Sequence, residues 1–167
     1  NNLNLFDLKQ GNIFDQRGLN SSVVTSFVEY KDDEIFVGTD GGGLSVFNRQ
    51  TELFRHLKIP ITSGNTSADI AVMGMEMTRS KKLYIGTYSK GLFVLDLSTE
   101  KFSQFKRGEH ASDLSSNDIF CIKEDRKGRI WVGTNGGGVN VLNAENKVIF
   151  KYGESPQAAN KGGYPLN

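Results

Sequence analysis

Residues suited to catalysis are few in this chain. Histidine occurs only at positions 56 and 110 and cysteine only at position 121. Neither His56 nor His110 has a partner at metal-ligand spacing, and a lone Cys121 builds neither an intrachain disulfide nor a Cys-based zinc site. No Gly-x-Ser-x-Gly elbow supports nucleophilic catalysis. Asp32-Asp33-Glu34 lacks the alternating carboxylates of a calcium loop and reads as a hairpin turn. Glu29, Glu76 and Glu124 fall near strand ends with no fixed pairing, so they do not make a glycosidase carboxylate pair. Met73, Met75 and Met77 alternate, which places them on one strand face as core filling rather than as a thioether metal site. No catalytic residue, metal or cofactor is expected.

A different chemistry fits Asp40, Tyr88, Lys90 and Asn135. Asp40 and Asn135 offer hydrogen bonds to sugar hydroxyls, Tyr88 a ring to stack on a pyranose, and Lys90 a cation for a uronate or sulfate. Three of them fall at equivalent points of an internal repeat. Glu34-Ile-Phe-Val-Gly-Thr-Asp-Gly-Gly-Gly-Leu-Ser-Val-Phe-Asn48 aligns with Arg129-Ile-Trp-Val-Gly-Thr-Asn-Gly-Gly-Gly-Val-Asn-Val-Leu-Asn143. Lys82-Leu-Tyr-Ile-Gly-Thr-Tyr-Ser-Lys-Gly-Leu-Phe-Val-Leu-Asp96 fits the same frame. The Gly-Thr pairs begin at Gly38, Gly86 and Gly133, 48 and 47 residues apart. At the start of the second copy the register stays open: matching Asp69-Ile70 to Asp118-Ile119 requires two extra residues before Lys82.

Each unit reads as four short strands in a meander. Residues 118–124 form a strand, 125–128 a tight turn with Gly128 at positive φ, and 129–134 a second strand. In that second strand Ile130 and Val132 face one way and Trp131 the other. Residues 139–143 and 148–152 complete the set. Four strands every ~45 residues predict an all-β fold, a β-propeller fragment of about three and a half four-stranded antiparallel blades. The expected division is a half blade at 1–17, blades at about 18–64, 65–112 and 113–156, and the start of another repeat at 157–167. Trp131 is expected between blades with Phe36 and Tyr84, its truncation costing roughly 3–5 kcal/mol. The Gly-Thr glycines are expected where a side chain would strike the next blade. The Gly-Gly-Gly runs lie between strands and lack a following Gly-Lys-Ser/Thr, so they do not read as a phosphate loop.

Composition narrows the partners. The 167 residues include 20 Lys+Arg and 19 Asp+Glu, a formal net charge of +1, which predicts no nucleic-acid partner. No apolar run reaches the ~20 residues that cross a bilayer, so this segment is expected to make no membrane contact. Asn1 to Asn4 do not resemble a secretory leader, and the chain reads as a mature or excised fragment.

The string from Leu114 through Asn143, with Asp125-Arg-Lys-Gly128 and Gly133-Thr-Asn-Gly-Gly-Gly138, resembles the two-component regulator propeller repeat. The first copy resembles it from Leu19 to Asn48. The second departs at Tyr88-Ser-Lys90, in place of Asn/Asp-Gly-Gly, and at Arg79-Ser-Lys81. The resemblance implies the periplasmic sensor region of a hybrid two-component histidine kinase of the Bacteroidetes type. It implies further blades and a kinase in the parent protein, glycan fragments as ligands, and control of polysaccharide-utilisation genes. The family carries no universal ligand motif.

Strand parity locates the candidates independently. In a meander, the turn between second and third strands shares a rim with the link to the next blade. That rim would hold Asp40, Tyr88, Lys90 and Asn135 beside the long links at 58–67 and 107–116, and loops on a rigid scaffold are where binding concentrates. The leading expectation is therefore a non-catalytic sensor binding an oligosaccharide. The alternatives are a protein–protein interaction scaffold and a propeller lyase or glycosidase. An open arc also exposes its end faces, which predicts a homo-oligomer that completes the ring.

Overall fold

The computed structural model describes residues 18–61 and 70–153. The expected half blade at 1–17, part of the first link at 62–67, and the repeat start at 157–167 lie outside them. The described residues hold twelve strands and no helix. The first sheet comprises β1 (Val24–Lys31), β2 (Glu34–Thr39), β3 (Gly43–Asn48) and β4 (Leu53–Leu57). The second comprises β5 (Val72–Met77), β6 (Lys82–Thr87), β7 (Leu92–Asp96) and β8 (Lys101–Phe105). The third comprises β9 (Ile119–Glu124), β10 (Ile130–Thr134), β11 (Val139–Leu142) and β12 (Val148–Tyr152). Every sheet is an antiparallel meander in chain order.

The sheets fan from their first strands. β1 packs against β5, and β5 against β9, whereas the fourth strands have no comparable contact with one another. Three wedges radiating from inner strands are the arrangement of propeller blades, and the chain is an all-β propeller segment.

Two apolar seams hold the wedges together. The first joins Phe36, Leu44 and Val46 to Leu83, Ile85, Phe93 and Leu95. The second joins Tyr84, Leu92 and Val94 to Ile119, Ile130, Val132 and Leu142. Phe36 and Phe93 are 0% exposed, and complete burial of such side chains contributes about 1.5–3 kcal/mol each. Because a blade is covered on both faces, strand positions of either parity can be apolar.

The Gly-Thr glycines sit in these seams as expected. A Cβ on Gly38 would lie 2.6 Å from Val72 Cγ1, and one on Gly86 would lie 2.7 Å from Ile119 Cγ2. Gly133 differs, for its Cβ would meet Cys121 Sγ of its own blade.

The structure settles the open register without a gap. Val72 pairs with Thr87 as Ile119 pairs with Thr134. It also corrects the methionine alternation. A β-bulge between Val72 and Gly74 interrupts the period at Met73, and Val72 rather than Met73 shares the core face with Met75 and Met77.

Trp131 occupies the position of Phe36 and Tyr84 and is partly buried, since no blade covers the far face of the third sheet among the described residues. Its ring stacks on Tyr152 at 6.1 Å, and its Nε1–H donates to Asp125 Oδ2 at 3.0 Å.

Candidate functional site

The two rims of the fan differ in construction. On one rim, the turns between second and third strands are stitched to the segments that lead into the first strands. The Asp40 N–H donates to the Val23 carbonyl, Tyr88 to Ala71, and Asn135 to Asp118, at 2.9, 3.0 and 2.9 Å. Gly43 N–H reaches Ile70 O, and Gly91 N–H reaches Asn117 O, both at 2.9 Å. The first two turns are thereby tied to the next blade as well as to their own, and the third to its own.

These bonds place Asp40, Tyr88, Lys90 and Asn135 on one rim. The Tyr88–Lys90 and Asn135 turns meet at Asp118, whose Oδ1 accepts the Ser89 N–H at 2.7 Å while its carbonyl accepts from Asn135. Lys90 is anchored through its carbonyl, which accepts Gln104 Nε2 at 2.8 Å. Asp40 belongs to the neighbouring turn and shares no hydrogen bond with the other three. Asp40, Tyr88 and Asn135 are exposed, and Tyr88 keeps 53% of its surface in solvent. Exposed donors, acceptors and a ring on a hydrogen-bonded scaffold suit recognition of a hydroxylated ligand lying across blades.

The glycine runs serve close packing here. A Cβ on Gly137 would lie 2.6 Å from Ser115 Oγ, and Ser115 Oγ donates to Gly137 O at 2.6 Å. Fully buried Asn140 donates from Nδ2 to the same Ser115 Oγ at 2.6 Å and accepts the Ser115 N–H at 3.1 Å, so its amide is satisfied.

A cleft of about 170 Å³ opens between β8 and β12, with Gln104, Asp113 and Asn146 in its wall. Ligand pockets commonly span roughly 300–1,000 Å³, so this one is too small to enclose an oligosaccharide. Sequence reasoning had no signal for it, because its walls come from two different sheets.

The opposite rim carries the hairpins between first and second strands, and here the glutamates acquire partners the meander alone did not predict. Arg79 donates to Glu124 Oε2 from its backbone N–H at 3.0 Å and from Nε at 3.2 Å, and its guanidinium also reaches the Asp125 carbonyl. Glu76 Oε1 accepts the Glu124 N–H at 3.1 Å and pairs with Lys123 Nζ at 2.9 Å. The second and third blades are thus latched by charge. Desolvation opposes ionisation of Glu124, but the Arg79 hydrogen bonds prevail and hold its carboxyl below the ordinary value. Asp125 is held well below the usual carboxylate range by the Trp131 N–H, against some desolvation and with help from Arg129. Burial pushes the Tyr84 hydroxyl up to about 12, with the Glu124 charge adding to it.

The histidines stand apart from both rims' candidates. His56 lies on the outermost strand and is half-buried, with Nδ1 2.7 Å from the hydroxyl of buried Ser45. Burial lowers its pKa. His110 is exposed in the second link, its N–H donating to Asp113 Oδ2 at 3.0 Å.

Residues 113–136 match the family described as two component regulator propeller, which spans the lead-in to β9, the Asp125–Gly128 hairpin, β10 and the start of the following turn. A curated relative, histidine kinase P4 of Formosa agariphila, is 24% identical over 140 residues. The match covers 83% of this chain and 10% of that protein, so the chain spans about a tenth of the relative. Among solved structures, the extracellular domain assigned to a hybrid two component system of B. thetaiotaomicron aligns with TM-score 0.58 and 23% identity. It covers 79% of this chain and 16% of the other. PorZ, a surface component of the type-IX secretion system of Porphyromonas gingivalis, aligns with TM-score 0.57 and 16% identity, covering 77% and 21%. Both likenesses concern the fold.

Proposed function

We propose that this chain, a two-component regulator propeller by the repeat at residues 113–136, is a non-catalytic segment of the periplasmic sensor region of a hybrid histidine kinase. Its ligand is an oligosaccharide fragment, and the signal regulates polysaccharide-utilisation genes. The remaining blades and the kinase belong to the parent protein. The reading is supported by the family match, by the resemblance to a curated histidine kinase, and by the fold shared with an extracellular domain of a hybrid two component system.

The observation that carries the binding site is the stitched rim. Asp40, Tyr88, Lys90 and Asn135 stand on turns whose backbones are hydrogen-bonded to the segments leading into the first strands, so little conformational entropy is lost when a ligand settles on them. Tyr88 stacks on a pyranose face, Asp40 and Asn135 bond to hydroxyls, and Lys90 pairs with an acidic substituent.

Calorimetric titration with neutral and uronate-containing oligosaccharides tests this. Tyr88→Ala is expected to weaken binding roughly tenfold or more, a loss of ~1.4 kcal/mol, and Asp40→Ala by a smaller factor. Unchanged affinity in both variants removes them from the site. The same titrations followed by thermal melting separate a sensor from a protein scaffold, since a ligand at 100 times its dissociation constant adds ~2.7 kcal/mol of stability.

A further inference from the structure

Asn135-Gly136 is the only Asn-Gly pair in the 167 residues. Glycine has no Cβ to shield its backbone nitrogen from the side chain before it. That nitrogen can therefore close a five-membered ring on the asparagine's amide carbon. In a folded chain the dipeptide alone is not enough. The side chain must be free to swing toward the backbone, water must reach it, and the ring needs room.

The described asparagines differ in the first respect. Asn48 Oδ1 accepts the Gln50 and Thr51 N–H groups, each at 3.0 Å. Asn143 Oδ1 accepts those of Glu145 and Lys147 at 3.1 and 2.9 Å. Asn117 Oδ1 accepts the Arg107 N–H at 2.7 Å, Asn146 Oδ1 accepts from the Tyr84 hydroxyl, and the Asn140 amide is buried against Ser115. At Asn135 only the backbone is engaged: its N–H donates to Asp118 O, and its carbonyl accepts from Ser116 Oγ at 3.2 Å. Its side-chain amide makes no hydrogen bond among the described residues. The Asn20 side chain is unheld too, but its successor is Ser21, whose Cβ hinders ring closure.

Water and room are supplied by the turn itself. Asn135 and Gly136 are exposed, and a Cβ on Gly136 would meet nothing within 4 Å. The equivalent pairs Asp40-Gly41 and Tyr88-Ser89 are also exposed, although in both cases a following blade packs beside the turn. A Cβ on Gly41 likewise meets nothing within 4 Å.

We propose that Asn135 is a self-modification site, at which the chain converts its own amide to a carboxylate with water as the only co-reactant. The Gly136 nitrogen gives up its proton to solvent and bonds to Asn135 Cγ. The Cγ–Nδ2 bond breaks, Nδ2 takes up a proton, and ammonia leaves a cyclic imide. Water then opens the imide at either carbonyl, to aspartate or to isoaspartate. No group is oxidised or reduced. The product adds one negative charge to the rim, and its aspartate form gives the third blade the residue that the first already carries as Asp40. If the rim binds sugar as proposed above, the new carboxylate repels an acidic oligosaccharide, and affinity for it falls as the protein ages.

Peptide mass spectrometry on the folded 167-residue chain, held at neutral pH, tests the modification without reference to any ligand. Exchange of an amide for a carboxyl group is expected at position 135, at least about tenfold faster than at any other described asparagine. An isoaspartate-specific methyltransferase should label the same peptide, and the rate should rise with pH. Asn135→Gln, a conservative change at an exposed position, should abolish the signal while leaving the melting temperature unchanged. A synthetic peptide of residues 130–140 gives the rate without the fold, and the folded chain is expected within about tenfold of it. A folded chain that stays intact at 135 after the peptide has fully converted overturns the proposal. So does conversion spread over the asparagines without preference for 135. Calorimetry of aged and fresh protein with a uronate-containing oligosaccharide is a separate readout, and its failure alone would count against the rim as the sugar site.

Discussion

Replacing Phe36 by alanine is expected to destabilise the fold by about 3–5 kcal/mol, while the equivalent Trp131→Ala costs markedly less, about 1–2 kcal/mol. The two residues hold the same place in their repeats, so local sequence gives no reason for a difference. Phe36 is 0% exposed between the first and second blades and contacts Tyr30 at a centroid distance of 4.6 Å. Its loss leaves a cavity walled by two sheets that cannot both relax inward. Trp131 has one covered side, one stacking partner and one hydrogen bond. Urea unfolding of both variants, at concentrations where chains stay apart, gives the comparison. Equal costs would mean that the blades do not pack as described. For Trp131 this replaces the larger figure that its sequence position alone suggests.

Gly86→Val is the second large effect. The new Cβ would lie 2.7 Å from Ile119 Cγ2 and 3.0 Å from the Ile119 carbonyl oxygen, before the two added methyls are placed. Both contacts belong to the innermost strand of the next blade, where the sheet backbone has least room to move. A cost of ~3 kcal/mol or more is expected, at the upper end of overpacking penalties. Gly18→Val is the contrasting case, since nothing lies within 4 Å of a Cβ there, and it should leave stability within about 0.5 kcal/mol. If the two substitutions behave alike in thermal melts, the seam is not where the structure puts it.

The parts of this fold that sequence could reveal are those written within one repeat. Strand boundaries, the Asp125–Gly128 turn and the facing of Ile130 and Val132 against Trp131 follow from alternation and turn chemistry over a few residues. Gly128 does take positive φ, at 76°. The Gly-Thr glycines were legible for another reason: a pair recurring after 48 and 47 residues implies a shared steric demand, which Gly38 and Gly86 meet at the next blade.

Relations between repeats were not legible. Ile70 and Val72 are both aliphatic, so only strand pairing shows which one faces the glycine. The bulge at Met73 carries no residue signal, yet it redirects the methionine alternation. The Arg79–Glu124 latch joins residues 45 apart in sequence, and the glutamates' partners become visible only once blades are set side by side. For the candidate site, meander parity correctly predicts a shared rim for Asp40, Tyr88 and Asn135. The link through Asp118, which joins two of those turns, depends on tertiary hydrogen bonds that no spacing encodes.

The central claim is that this segment recognises its ligand on the stitched rim. Amide hydrogen exchange with and without a saturating oligosaccharide tests it most directly. Slowed exchange is predicted at the turns 40–43, 88–91 and 135–138, with the hairpins at 31–34, 78–81 and 125–128 unaffected. Protection confined to those hairpins, or none at any turn while calorimetry reports binding, would contradict it.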